Sequence, residues 1–170
     1  MSDSPRSTVV SHDRDETRAF GEQLALILRP GDVILLHGDL GAGKTTLTQG
    51  IARGLGITGA VQSPTFTLVA EHDGHASDGT PLRLYHLDLY RLGGEDDLEA
   101  IGFDDLLDPS DGVSIIEWPE RAGTWLPDAY VLITIDVLPD GCRRFTVSTS
   151  PEDADLTTRL RSLNLTFDKP

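Results

Sequence analysis

Three glycines, a lysine and two threonines fall within the nine residues Gly38-Asp39-Leu40-Gly41-Ala42-Gly43-Lys44-Thr45-Thr46. The first eight match G-x-x-x-x-G-K-[ST], a loop whose backbone N–H groups wrap a row of phosphates. Glycine lets the main chain turn tightly and approach an anion closely, and a helix that starts at the lysine adds the positive end of its dipole. Lys44 is then placed to reach β- and γ-phosphates, and the Thr45 hydroxyl to ligate magnesium. Asp39, Leu40, Ala42 and Thr46 complete the candidate cradle. An ordinary glycine-rich turn between a strand and a helix is the bland alternative. Arginine outnumbers lysine twelve to two, the lysines being Lys44 and Lys169. A lysine at position 44 therefore marks a place for a compact ammonium that a planar guanidinium does not fill.

Carboxylates suited to the same chemistry occur later. Val113-Ser114-Ile115-Ile116-Glu117 is an apolar run closed by an acid, the pattern in which a strand-end carboxylate holds magnesium beside such a loop, with Glu where Asp is usual. Taken alone, Glu117 is equally a strand end meeting solvent, and Trp118 reads better as packing than as a base-stacking surface. In Tyr85-His86-Leu87-Asp88-Leu89-Tyr90-Arg91 an extended backbone puts His86, Asp88 and Tyr90 on one face. There Asp88 either orders an attacking water or binds magnesium through water, or else it pairs locally with Arg91 and His86 is a half-buried strand residue. Ser63-Pro64-Thr65-Phe66-Thr67 stands where many nucleotide-dependent proteins carry a segment ordered by the γ-phosphate, with Thr65 offering a hydroxyl. It reads as well as a Ser-Pro turn opening a strand. No Asn-Lys-x-Asp stretch for guanine occurs, which tilts the choice toward ATP, and His12, His72 and His75 lack zinc-ligand spacing.

The elements that must hold these residues follow from periodicity. Apolar positions 20, 24, 27 and 28, an Asp13/Glu16 capping pair and a Pro30-Gly31 stop predict a helix over 13–28. Residues 32–37 are a continuous apolar run, suited to a strand covered on both faces, and helix is expected over 44–55. Runs 65–71 and 82–87 predict an antiparallel pair with a long polar connection through Asp73-Gly74 and Asp78-Gly79. Partial helix is expected over 98–107, a buried strand over 113–117, and a hairpin of 130–138 with 143–149 about Pro139-Asp140-Gly141. The reading is one α/β domain over 11–150, a flexible N-terminus over 1–10 and an acidic tail over 151–170 that can form a short helix within 152–165.

Composition narrows the classes. The 170 residues, 38% hydrophobic, suit a single domain with a real core. No apolar run is long enough to span a membrane, the N-terminus does not read as a basic segment followed by an apolar one, and the single cysteine, Cys142, has no intrachain partner for a disulfide. A cytoplasmic protein is expected, with no membrane association. A formal charge of −14 repels a polyanion, so direct tRNA or DNA binding is not expected.

In combination, GDLGAGKTT, SPTFTLV, HLDLYRL and IIEW, in that order across about residues 13–138, resemble the TsaE (YjeE) family of bacterial ATPases. That family acts in making threonylcarbamoyladenosine on tRNA. The resemblance implies a P-loop NTPase fold, with a mixed, mostly parallel sheet, antiparallel hairpin additions and flanking helices. It also implies ATP hydrolysis with the partner proteins TsaB and TsaD, slow without them. It implies magnesium on Thr45 and Glu117, hydrolysis that needs Asp88, and Thr17 of the first helix near the nucleotide. With Lys44, Asp88 and Glu117 are the candidate catalytic residues. Two other classes stay open: a nucleotide-gated binding module with negligible turnover, and a small-molecule kinase, which would need an acceptor pocket and an arginine-rich lid.

Overall fold

Short β-branched runs punctuated by glycine, proline and aspartate leave this chain little choice but a sheet with helices on its faces. A computed structural model describes residues 6–150, 154–163 and 165. In chain order the elements are β1 (Ser7–Ser11), α1 (Arg14–Ala25), β2 (Val33–Gly38), α2 (Lys44–Gly54), β3 (Val69–His75) and β4 (Pro81–Asp88). There follow α3 (Glu95–Ala100), α4 (Phe103–Leu106), β5 (Gly112–Glu117), a 3-10 segment (Pro119–Trp125), β6 (Val131–Val137), β7 (Arg143–Thr149) and α5 (Ala154–Ser162). The seven strands form one sheet in the order β1-β7-β6-β2-β5-β4-β3. Its centre, β6-β2-β5-β4, is parallel, and β7, β1 and β3 are added antiparallel at the two sides. The mixed, mostly parallel sheet expected from the sequence is therefore present.

Central strands are apolar on both faces because both faces are covered. Ile34 and Leu36 of β2 pack with Phe20 and Leu24 of α1 and Leu47 and Ile51 of α2. Val33 and Leu35 point the other way, toward Leu98, Phe103 and Leu106 of α3 and α4. All six residues of β5 are buried. Helix α1 lies against α2 almost backbone to backbone: a Cβ on Gly50 would come within 2.3 Å of the Arg18 carbonyl oxygen.

Several boundaries differ from the sequence reading, among them the end of α1, at Ala25 rather than 28. Strand β3 begins at Val69 rather than at 65, and Asp73-Gly74 lies inside it. The polar connection to β4 is thus only the turn around Asp78-Gly79, and Gly74 is there because the end of α2 crosses it, with the His75 N–H donating to the Leu55 carbonyl at 2.7 Å. Residues 7–10, expected to be part of a flexible end, belong to an edge strand with Val9 opposite Phe145. At the far end α5 buries Leu156, and Arg159 makes a two-pronged ion pair with Asp32 at 2.7 and 2.9 Å. Residues 1–5, 151–153, 164 and 166–170 lie outside the described residues. No helix among the described residues is long and apolar enough to cross a membrane.

Candidate functional site

Parallel strands end together, so side chains at the carboxyl ends of β2, β5 and β4 converge although they are far apart in sequence. Leu36 is level with Glu117, and Glu117 with Asp88. From β2 the chain enters the glycine-rich loop and then α2, whose first residue is Lys44. The residue before it, Gly43, has φ 113°, a left-handed conformation costly for any side chain. No side chain caps α2, unlike α1, where the Asp13 carboxylate accepts from the Glu16 N–H at 2.8 Å. The first amides of α2 thus remain as donors at a helix N-terminus, an arrangement that suits an anion.

A cavity of about 720 Å³ opens above this point. Leu40, Gly41, Gly43, Lys44, Thr45 and Thr46 line it, as do Thr17, Thr65, Asp88 and Glu117. Three of the proposed cradle residues stand behind it. Gly38 and Asp39 contribute carbonyls that accept from Lys44 Nζ at 2.6 and 2.8 Å, and Ala42 is buried. The Lys44 ammonium also lies 4.1 Å from the centre of the Trp118 ring. Burial pushes its pKa below the ordinary lysine value, while Glu117, Asp88, Glu120 and Asp39 act in the opposite direction.

The two carboxylates are joined through hydroxyls. Thr45 Oγ1 donates to Glu117 Oε1 at 3.1 Å, and Ser63 Oγ donates its one proton to Asp88 Oδ2 while standing 3.2 Å from Glu117 Oε2. The Tyr90 N–H donates to Asp88 Oδ1 at 2.9 Å. Among the described residues no ion pair links Asp88 with Arg91, whose guanidinium instead sits 4.7 Å from the Phe66 ring centre. His86 is fully buried rather than half-buried, with Nε2 2.7 Å from Glu117 Oε2. Thr65 faces the cavity, but its hydroxyl donates to the Ser63 carbonyl at 3.4 Å, and Ser63 is the residue that meets the carboxylates. Among the described residues two non-glycine positions have positive φ, Leu68 at 65° and Trp118 at 59°. Both flank the site, Trp118 following Glu117 and the Leu68 carbonyl accepting from the Asp88 N–H. Such conformations cost of order 1–3 kcal/mol each and persist where surroundings enforce them.

The cavity has a second side that the sequence reading reached only through Thr17. That residue is buried, bonded to Ser11 Oγ at 2.7 Å and to the Asp13 carbonyl at 3.2 Å. Beside it stand His12, Arg14 and Arg143. Arg143 donates to the carbonyls of Gly41 and Ala42, each at 3.3 Å, bracing the loop from β7. Nothing local in the sequence marks Arg143, whereas Ser63 opened a motif already singled out.

A parallel core with a glycine-rich loop leading from β2 into an uncapped helix defines a P-loop NTPase-type fold, a nucleotide-binding class. The family model for the threonylcarbamoyl adenosine biosynthesis protein TsaE matches residues 11–145. Among named relatives, the tRNA threonylcarbamoyladenosine biosynthesis protein TsaE of Bacillus subtilis is 44% identical over 132 residues, 78% of each chain. The protein of the same name from Treponema pallidum is 41% identical over 139 residues, 82% of this chain and 98% of its own. The crystal structure of Bacillus subtilis YdiB superposes with a TM-score of 0.73 at 33% identity, covering 94% of this chain and 95% of that one. This chain belongs to the TsaE family.

Proposed function

We propose that this chain is a magnesium-dependent ATPase that serves the threonylcarbamoyladenosine modification of tRNA together with TsaB and TsaD. The pathway is the one named in its relatives, and the TsaE family assignment implies a protein complex. The observation that carries the catalytic reading is the meeting of Lys44, Thr45, Asp88 and Glu117 around one cavity at the carboxyl ends of β2, β4 and β5.

Magnesium fits the donors present. Thr45 Oγ1 and Glu117 Oε1 are hard oxygens 3.1 Å apart at the cavity wall, with Asp88 joined to Glu117 through Ser63. Among the described residues no group of three or more His, Cys, Asp or Glu forms a metal cage. Magnesium held with a nucleotide needs only one or two protein carboxylates, because phosphates and waters complete its shell. Thr45 and Glu117 would hold it, and it would offset charge on the phosphates.

The residues of the chain then divide the work. Amides of the loop and of the first turn of α2 bind the phosphates, and Lys44 exchanges its loop carbonyls for β- and γ-oxygens. Asp88, tethered by the Tyr90 N–H, keeps its other oxygen toward Ser63 and the cavity, where it can orient the attacking water. Thr17, on the opposite side, is assigned to the nucleoside end of ATP. The test is a steady-state assay of phosphate release from ATP and from GTP, with and without TsaB and TsaD. Slow release alone and a marked rise with partners is the expected result. Nucleotide binding with no turnover in either condition would replace the ATPase by a nucleotide-gated module.

A further inference from the structure

Glu117 offers its two oxygens to different neighbours. Oε2 meets His86 Nε2 at 2.7 Å and lies 3.2 Å from Ser63 Oγ. The Thr45 hydroxyl lies nearer Oε1, at 3.1 Å, than Oε2, at 3.5 Å. His86 has no exposed surface, and among the described residues its other ring nitrogen, Nδ1, has no hydrogen-bond partner, so that its ring bonds there to Glu117 alone.

The cost of placing an imidazole there is informative. Position 86 lies on β4 two residues from the fully buried Leu84 on the same face, and near His72 of β3, whose buried Nε2 also has no hydrogen-bond partner among the described residues. An aliphatic residue would fill that place without stranding a polar nitrogen, whose burial without a partner disfavours the fold. What an aliphatic residue lacks is a donor aimed at Oε2. With Oε2 engaged by the imidazole and flanked by Ser63 Oγ, the more open oxygen of Glu117 is Oε1, on the side of Thr45.

We propose that His86 is a positioning residue for Glu117: its Nε2–H holds Oε2 and so keeps Oε1 turned toward Thr45 and the magnesium–nucleotide complex. Outer partners of this kind fix the orientation of a metal-binding carboxylate and commonly change metal affinity by about 10–100-fold when removed. The assignment rests on Glu117 as a magnesium ligand, and the experiment separates the two claims.

Two substitutions distinguish the contact from mere filling of space. The amide nitrogen of glutamine reaches where imidazole Nε2 stands, whereas that of asparagine corresponds to Nδ1 and falls short of Glu117. Nucleotide binding to the full chain is measured calorimetrically with ADP and with a non-hydrolysable ATP analogue, across a magnesium series and in EDTA. For His86→Asn the magnesium concentration at half effect should rise by about 10–100-fold, with affinity in EDTA unchanged. For His86→Gln it should return most of the way to the wild-type value. An unchanged midpoint in His86→Asn, an equal defect in His86→Gln, or a parallel loss of affinity in EDTA would each overturn the proposal. If the wild type itself shows no magnesium dependence, the assignment of Glu117 fails and the positioning role falls with it. Should the variants not fold, imidazole nitrogen NMR of the wild-type protein decides: a proton on His86 Nε2 is required, and a bare Nε2 overturns the role.

Discussion

Lys44 spends its hydrogen bonds on the carbonyls of Gly38 and Asp39 and rests against the Trp118 ring, in a position where burial disfavours its charge. Phosphates are the stronger partners for an ammonium held this way. In thermal unfolding, wild-type protein with MgATP at about 100 times its dissociation constant should gain roughly 2.7 kcal/mol. Lys44→Ala should lose nearly all of that gain, and an equal gain in both proteins would remove Lys44 from the site. Thr45→Ala should still bind nucleotide but no longer respond to magnesium. A calorimetric and kinetic comparison separates the acids. Glu117→Ala is expected to weaken only magnesium-dependent binding, and Asp88→Asn to leave binding near normal while turnover falls by about 10²–10⁴-fold. Full turnover in Asp88→Asn would return that residue to a structural role. The eight-residue loop was legible from types and spacing, because its chemistry is contiguous. Ser63 as the bridge between Asp88 and Glu117 was not, since no spacing shows that residues 25 and 54 positions away meet the same hydroxyl.

At the level of helices and strands, the α1–α2 contact sets a firm constraint. Replacing Gly50 by alanine gains about 1 kcal/mol of helix propensity. The added methyl, however, meets the backbone of Arg18 at 2.3 Å, and overpacking against atoms that cannot rotate away costs about 1–3 kcal/mol. Gly50→Ala should therefore lower the urea midpoint; a more stable variant would show that the helices separate freely. Helix α5 is held by the Arg159–Asp32 pair, both side chains being largely buried at 11% and 7% exposure. Arg159→Ala leaves Asp32 without its counter-charge and should cost about 3–5 kcal/mol, read by equilibrium unfolding. Acid also weakens the start of α1. Hydrogen bonds from the His12 backbone and ring hold the Glu16 carboxyl below the usual glutamate range. Its contribution is complete at neutral pH and is lost as pH falls through that lowered value, which a carbon-detected NMR titration of Glu16 would follow. Helices and the 131–149 hairpin were readable because caps, periodicity and Pro-Asp-Gly are local signals. The start of β3 was not: Thr65 and Thr67 have strand propensity, but the 63–68 turn is held by contacts to Ser63 and Asp88, and tertiary contacts outweigh propensity.

For the molecule as a whole, charge and topology matter most. A formal charge of −14 disfavours the tRNA backbone, and the proposed division of labour leaves that contact to protein partners. Across a salt series the isolated chain should retain no measurable tRNA, whereas tight binding with a steep salt slope would refute that division of labour. Class and family were legible from four short motifs, but strand order was not, because pairing across the sheet leaves no mark on either partner alone. One pairing carries a further consequence. Among the described strands, β1 comes first in the chain and pairs in the sheet only with β7, which comes last. At about 5–20 residues per second the ribosome delivers that partner on the order of ten seconds after β1 has emerged. Residues 11–17, which form the Thr17 side of the cavity, hang from β1 throughout that interval. The first and last strands of the sheet must therefore meet before the Thr17 side of the cavity is fixed beside the phosphate loop.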